Sequence, residues 1–412
     1  MGTTMQSSIQ HLALPFFDAV HRDLGARLTA WIAQQQVDEC DDRKACQEWV
    51  QLLGNAGWLR YCVPEKFGGA LQRLDSRALV ILREALAFHS PLADFSFAMQ
   101  GLGSGAITLA GSAAQQAAYL PQVASGQKIA AFALSEADAG SDAGAITTLA
   151  TQGKEGAEGA RLWTINGSKT WISNGGIADF YVTFAKTSPA AGTRGITAFI
   201  VDASAPGLDS SEHIAVMAPH PLATLQFKNC AVTESAQLGA LNSGFKLAMQ
   251  TLDIFRASVA AAALGMARRA LAEAVAYSKQ RKMFGQHLAD FQLTQAKLGE
   301  MAALVDAAAL LTYRAAWLRD EGERIGSTAR VSTEGEERQK QKERSVAAAM
   351  AKMTATENAQ RVIDMALQMH GGLGVKVGTK VESLYRDIRS LRIYEGATEV
   401  QQLIIGKAVL QS

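Results

Sequence analysis

The hydrophobic period changes twice along this chain, and that double switch restricts the fold more than any single motif. From about residue 10 to 127, apolar residues recur at helical spacing: Leu28, Trp31 and Ile32; Trp49, Leu52 and Leu53; Leu79, Leu82 and Leu86. Such spacing puts one apolar stripe on a 3.6-residue helix. The breaks fall at Pro64 to Gly69, at Ser90-Pro91 and at glycines 101, 103 and 105. Gly101-Leu-Gly-Ser-Gly105 lacks the spacing of a dinucleotide loop and follows no strand, so it reads as close helix packing. Between about 128 and 240 the runs Ile129 to Leu134, Arg161 to Ile165, Phe180 to Phe184, Ile196 to Val201 and Leu222 to Phe227 are short and rich in β-branched and aromatic residues, which reads as strands. Asn166-Gly167 predicts a type I′ hairpin between Leu162–Ile165 and Lys169–Ile172. From Gly244 the helical period returns over longer stretches, with Leu252, Phe255, Val259, Ala262 and Met266, then Leu298, Met301, Val305 and Ala308. The expected fold class is α+β: an N-terminal helical domain (1–127), a small sandwich- or barrel-like β-domain (128–240) and a C-terminal four-helix bundle (241–412). Residues 319–344, of mixed charge and without an apolar period, read as an exposed connection.

Bulk properties exclude several function classes. The 40 basic residues nearly balance the 39 acidic ones, for a net charge of +1. Neither a nucleic-acid stripe nor a membrane-surface patch follows from that balance. The four cysteines, Cys40, Cys46, Cys62 and Cys230, form no CxxC pair, and the seven histidines show no HxxxH or HExxH spacing, so no metal site is expected. Residues 1 to 20 show no signal or transit pattern, and the longest apolar run, Ala257 to Ala267, is too short to span a bilayer. A cytoplasmic protein without membrane insertion is expected.

The candidate for chemistry lies near the C-terminus, in Tyr385 to Val400. Arg386, Arg389 and Arg392 recur at helical spacing, Gly396 can end that helix, and Val400, Leu403 and Ile404 restart an apolar stripe. Glu395 is thereby expected in the gap between two helices, where a base can be held. On this segment alone, a surface pairing with Arg392 or Arg389 on a solvated face is the favoured reading.

Four further segments carry unusual residues: Leu134-Ser-Glu-Ala-Asp-Ala-Gly-Ser-Asp142, Trp171-Ile-Ser-Asn-Gly175, Arg281-Lys-Met-Phe-Gly285 and Gln368-Met-His-Gly-Gly372. Together with Ile393-Tyr-Glu-Gly396, in this order, they resemble the acyl-CoA dehydrogenase family from about residue 15 to 410. The resemblance implies FAD as cofactor. Phe132, Leu134 and Ser135 are implied to contact the isoalloxazine, Trp171 and Ser173 to cover one of its faces, and Ser141 to reach the pyrophosphate or the bound CoA. Arg281, Phe284 and Gln292, with Gln368, Gly371 and Gly372, resemble the clamp that reaches the FAD of a neighbouring subunit, implying a homo-oligomer, dimer or tetramer. Asp253, Arg256 and Gly396 are implied to bind the acyl-CoA, and Thr398 and Glu399 the FAD. Two positions depart from the family pattern: Ala137-Asp138 replaces the usual Pro-Gly, and Ala397 replaces a hydroxyl residue.

The implied reaction is α,β-dehydrogenation of an acyl-CoA thioester, with Glu395 taking the α-proton, the flavin accepting the β-hydride and electrons passing to an electron-transferring flavoprotein. Some subgroups carry the carboxylate on the first bundle helix instead, at the position of Phe255, which cannot act as a base. An acyl-CoA oxidase using oxygen and a flavin-bearing nucleic-acid-binding relative are the alternatives at this stage.

Overall fold

A computed structural model describes residues 8–155, 161–328 and 334–411. Along the chain the helices and strands run α1 (Ala19–Ile32), α2 (Asp42–Asn55), α3 (Ser76–His89), α4 (Pro91–Ala110), α5 (Ala113–Ala124), β1 (Ala130–Ala133), β2 (Leu149–Glu155), β3 (Arg161–Ser173), β4 (Phe180–Lys186), β5 (Ile196–Asp202), β6 (Leu208–Ile214), β7 (Leu222–Thr233) and β8 (Gln237–Leu238). They continue with α6 (Gly244–Gln280), β9 (Lys282–Met283), β10 (Gln286–His287), α7 (Gln292–Thr328), α8 (Glu334–His370), α9 (Lys380–Leu391) and α10 (Thr398–Val409). This is the expected α+β fold, helical at both ends of the sequence with a β region in the middle.

The chain separates into two compact units: Met1–Gln36, Asp75–Asp94 and Arg256–Ser412 form the first, and Val37–Leu74 with Phe95–Phe255 the second. In the first, α8 packs on α7, α9 and α10. Its contact face is built from alanines, among them Ala349, Ala351, Ala355, Ala359 and Ala366, all buried, and the short side chains let helix axes approach closely. Every residue of α3 from Ser76 to Phe88 is buried, so its charged residues need internal partners. Glu84 accepts a hydrogen bond from the Tyr313 hydroxyl at 2.7 Å and lies 2.7 Å from Arg268 Nε. Gly265 on α6 approaches α3 closely, because a Cβ there would run into the Glu84 carbonyl oxygen. Gly265→Ala is therefore expected to destabilise the protein by about 1–3 kcal/mol, measured by chemical denaturation; an unchanged midpoint would show that the two helices part freely.

In the second unit the β region is one sheet with the order β6-β7-β3-β2-β4-β5-β8, and β1 pairs with β4. Pairing is antiparallel except between β1 and β4 and between β2 and β4. Gly101 and Gly105 of α4 pack against Phe255, and Gly103 packs against Ala130 and Ala131, the close packing expected of that glycine cluster.

Three expectations are corrected. Asn166-Gly167 makes no hairpin: β3 runs through it, with a register shift against β7 between Ile165 and Gly167. Gly167 takes φ of 140° there, its Cα lying where a Cβ would strike Thr148, so the glycine serves a bulge rather than a turn. Residues 319–344 are not a structureless connection, since α7 extends to Thr328 and α8 begins at Glu334, with 329–333 outside the described residues. Glu, Lys, Arg and Gln propagate a helix without an apolar stripe. Asp320 is moreover buried, accepting hydrogen bonds from the Ser76 and Arg77 backbone N–H groups at 2.8 and 3.0 Å and from Arg77 Nε at 3.0 Å. Finally, α6 and the part of α7 from Gln292 to Glu321 are long and apolar enough by length and composition to cross a membrane; 72% of the most apolar window of α6 is buried within the fold. Helices hydrophobic on all sides are also those that fill protein cores.

Candidate active site

Glu395 occupies the gap between α9 and α10 in a left-handed conformation, φ 53°, followed by Gly396 at φ 95°. Glutamate seldom takes this conformation, which costs about 1–2 kcal/mol, and neighbouring groups hold it. Glu357 of α8 receives Arg392 Nε at 2.9 Å and Arg392 Nη2 at 2.8 Å from the end of α9, and the Thr398 hydroxyl at 2.6 Å from the start of α10. The Gly396 carbonyl accepts hydrogen bonds from Lys352 Nζ at 2.8 Å and Gln401 Nε2 at 2.9 Å. Arg392 is thus committed to Glu357, which removes it as the surface partner of Glu395. Although the residue as a whole is half-buried, Glu395 Oε2 is sealed from solvent and has no hydrogen-bond partner.

Burial raises the Glu395 pKa above its ordinary value, against the pull of the cations Arg83, Arg256 and Lys352, with Asp94 pushing the same way as burial. Burial also raises that of the adjacent Tyr394, whose phenol stays neutral. Arg83 and Asp94 form a fork: Arg83 Nε and Nη2 each donate to one Asp94 oxygen at 2.8 Å, and Nη1 donates to Ser258 Oγ at 3.0 Å. Burial opposes the guanidinium charge, but Asp94 outweighs it and keeps Arg83 protonated. One carboxylate without a hydrogen-bonding partner at Oε2 therefore faces a set of fixed charges, an arrangement suited to receiving a proton from a carbon acid.

In the second unit, the loop after β1 is stapled to β3. Glu136 accepts hydrogen bonds from Lys169 Nζ at 2.8 Å, Thr147 N–H at 2.6 Å, Thr147 Oγ1 at 2.8 Å and Thr148 N–H at 3.0 Å. Lys169 also donates to the Leu134 carbonyl at 2.9 Å, and Thr170 N–H to that of Ser135 at 3.0 Å. Burial would raise the Glu136 pKa, yet Lys169 and the other donors bring it down to about 2; burial lowers that of Lys169 to about 8 despite Glu136. Immediately beyond lies a second register shift, between Lys169 and Ile172, where Trp171 sits at φ 60°. This bulge turns the indole outward, 57% exposed, while Ile172 is buried. The structure thereby brings together Leu134, Ser135, Trp171 and Ser173 beside a flat exposed aromatic face. Phe132 lies behind them, its ring 4.9 Å from Phe184, and Ser141 is exposed further along the loop.

Arg281, Phe284 and Gln292 flank a two-residue turn. Strands β9 and β10 pair across Phe284 (φ 51°) and Gly285 (φ 81°), and the Phe284 side chain at the tip is 88% exposed. Such a turn is natural for Asn-Gly and rare for phenylalanine. Tyr277, one turn before Arg281, stacks on His370 with ring centroids 4.3 Å apart, so Gln368, Gly371 and Gly372 share this end of the bundle. Thr398 and Glu399, with Glu357, Asn358 and Arg392, line a cavity of about 470 Å³. Asp253 and Arg256 lie on α6, half-buried and buried respectively. Among the described residues, no group of three His, Cys, Asp or Glu side chains could hold a metal ion.

Sequence reasoning missed Arg83, Asp94, Lys352, Gln401, Glu136 and Lys169. The available signal was a charge inside an apolar helical run, as with Arg83 in Leu79 to Phe88 or Lys352 directly after Ala347 to Ala351.

With this geometry in hand, comparison with known proteins gives the class. Models of the acyl-CoA dehydrogenase N-terminal, middle and C-terminal domains match residues 21–127, 131–230 and 242–410. The chain belongs to the acyl-CoA dehydrogenase family. It is 37% identical over 404 residues to a 3-(aryl)acrylate reductase of Clostridium sporogenes, covering 96% of this chain and all of the relative. It is 35% identical over 368 residues to the caffeyl-CoA reductase-Etf complex subunit CarC of Acetobacterium woodii, covering 89% and 90%. Butyryl-CoA dehydrogenase of Megasphaera elsdenii has a similar structure, with a TM-score of 0.83 at 32% identity, covering 96% of this chain and 99% of that one.

Proposed function

We propose that this protein is an FAD-dependent acyl-CoA dehydrogenase that removes the α-proton of an acyl-CoA thioester with Glu395. The observation carrying this reading is the buried Glu395 Oε2, which has no hydrogen-bond partner and sits in a strained turn among Arg83, Arg256 and Lys352. Burial makes the carboxylate more basic, and the nearby cations Arg83, Arg256 and Lys352 pull its pKa the other way. The Glu395 backbone N–H is the proposed donor from the protein to the thioester oxygen, where charge develops as the proton leaves. Asp253, Arg256 and Gly396 are the proposed contacts to the rest of the acyl-CoA.

The donor set fits a flavin dinucleotide. Trp171 offers an exposed ring face, the Ser135 carbonyl accepts from the Thr170 N–H of the strand that carries Trp171 and Ser173, and Ser141 lies on the same loop as Ser135. Phe132 and Leu134 join this set in the second unit; Thr398 and Glu399 of the first unit are proposed separately as FAD contacts. FAD, when bound, supplies the acceptor for the β-hydride. Arg281, Phe284 and Gln292, with Gln368, Gly371 and Gly372, are proposed to reach the cofactor of a second copy, which would cover the exposed Phe284 ring. The proposed partners are thus a second copy of this chain and an electron-transferring flavoprotein, and the proposed location is the cytoplasm.

Arg281→Ala is expected to lower FAD content and loosen the oligomer together, read by absorbance at the flavin band and by light scattering. Unchanged flavin content with unchanged mass removes Arg281 from the cofactor site. The reaction itself is tested by anaerobic bleaching of the flavin with butyryl-, branched-acyl- and arylpropionyl-CoA. If no thioester bleaches the flavin, the proposed reaction is wrong.

A further inference from the structure

Resting on the reading of Glu395 as the base, we propose that Lys352 is its positioning residue: the Lys352 ammonium, with the Gln401 amide, holds the Gly396 carbonyl and thereby fixes Glu395 in its left-handed turn. Two consecutive left-handed residues, Glu395 and Gly396, reverse the chain between α9 and α10. That reversal directs the Gly396 carbonyl at two donors that are both fully buried, Lys352 on α8 at 2.8 Å and Gln401 on α10 at 2.9 Å. A larger residue at 396 would be strained at φ of 95°, and its Cβ would have to displace the Gln401 amide nitrogen. A fully buried lysine is rare because the ammonium loses its hydration. This one stands on the alanine-rich face of α8, where an apolar side chain would suit helix packing better. Its burial instead secures one backbone carbonyl directly after the proposed base.

The charge has a second consequence. Lys352 faces Glu395 on the bend, Arg256 on α6, Glu357 on its own helix and Glu399 on α10. Glu395 in turn faces Arg83 on α3, Asp94 on α4, Arg256 and Lys352. Burial lowers the Lys352 pKa to about 8, with Arg256 adding to the effect and the three glutamates opposing it. A neutral residue at 352 removes one cation from beside Glu395 and so raises the pH at which Glu395 ionises.

The test uses the FAD-loaded protein with butyryl-CoA under anaerobic conditions, comparing wild type, Lys352→Met, Lys352→Arg and Glu395→Gln. Lys352→Met is expected to slow limiting flavin reduction by about 10²-fold, the scale of an ångström-sized displacement of a catalytic group, with little change in the dissociation constant for butyryl-CoA. The acid limb of its pH–rate profile should move to higher pH, and Lys352→Arg should restore part of the rate and return that limb towards wild type. Independently of turnover, amide hydrogen exchange in Lys352→Met should quicken at Tyr394 to Ala397 and stay unchanged along the core of α8. A Lys352→Met protein with the wild-type rate and acid limb overturns the proposal. So does loss of protection along all of α8 with no rescue by arginine, which would mark Lys352 as a packing residue. Should Lys352→Met fail to fold, Lys352→Gln takes its place: slowed reduction with the acid limb at higher pH and quicker exchange at Tyr394 to Ala397 supports the clamp, and a wild-type rate with an unmoved acid limb overturns it. The Glu395→Gln arm separates the two claims, because a wild-type rate there removes Glu395 as base whatever position 352 does.

Discussion

Glu395→Gln is expected to retain the fold and the flavin and to lose roughly 10²- to 10⁴-fold in the rate of flavin reduction, the contribution typical of a positioned general base. Glutamine is nearly isosteric and bears no charge, so the turn held by Glu357, Lys352 and Gln401 should persist. Binding of the acyl-CoA should change little. The wild-type rate should rise with pH as Glu395 deprotonates, and burial places that rise above the pH range in which an exposed glutamate ionises. In the glutamine protein this limb should vanish. Stopped-flow reduction across pH reads both effects, and a glutamine protein that keeps the wild-type rate refutes the assignment of the base.

Arg83→Met should be costly for a different reason. It leaves Asp94 buried without its two 2.8 Å donors, and breaking a buried ion pair from one side typically costs about 3–5 kcal/mol. The double variant Arg83→Met with Asp94→Leu should regain most of that stability, since apolar residues of similar volume can replace a buried pair at little or no net cost. If stability were the only purpose of the pair, the double variant would be fully active. Because Arg83 is the cation with the strongest pull on Glu395, both variants should instead ionise Glu395 at higher pH and reduce flavin more slowly at neutral pH. Denaturant titration joined to the pH–rate profile separates the two effects. A double variant that recovers stability and keeps the wild-type acid limb would confine the pair to a structural role.

The architecture was legible because the hydrophobic period reports burial directly: stripes such as Leu79, Leu82 and Leu86 became α3, and Phe180 to Phe184 became part of β4. The turn at Glu395 was legible for a similar reason, since Gly396 followed by a new apolar stripe leaves the chain little choice but to reverse. Asn166-Gly167 misled because the same residues serve hairpins and bulges, and only contact with Thr148 decides between them. Residues 319–344 misled because a helix of Glu, Lys and Arg needs no stripe, and because the burial of Asp320 depends on the start of α3, some 240 residues earlier in sequence, as its bond to the Ser76 N–H shows. The charges around Glu395 lay beyond sequence reading for the same reason. Arg83, Asp94, Arg256 and Lys352 come from four helices, and nothing in their local spacing says which carboxylate they face.

The central claim, that Glu395 removes the α-proton, is tested most directly by a step in which no hydride moves. An acyl-CoA analogue with sulfur in place of the β-carbon, 3-thiabutyryl-CoA, has no β-hydrogen to give up, so only the acid–base half of the reaction remains. Incubated with the enzyme in deuterium oxide and followed by NMR, its α-hydrogens should exchange with solvent on the wild-type protein and should exchange no faster than in buffer on Glu395→Gln. Exchange at the wild-type rate on Glu395→Gln would contradict the account and assign the base to another group.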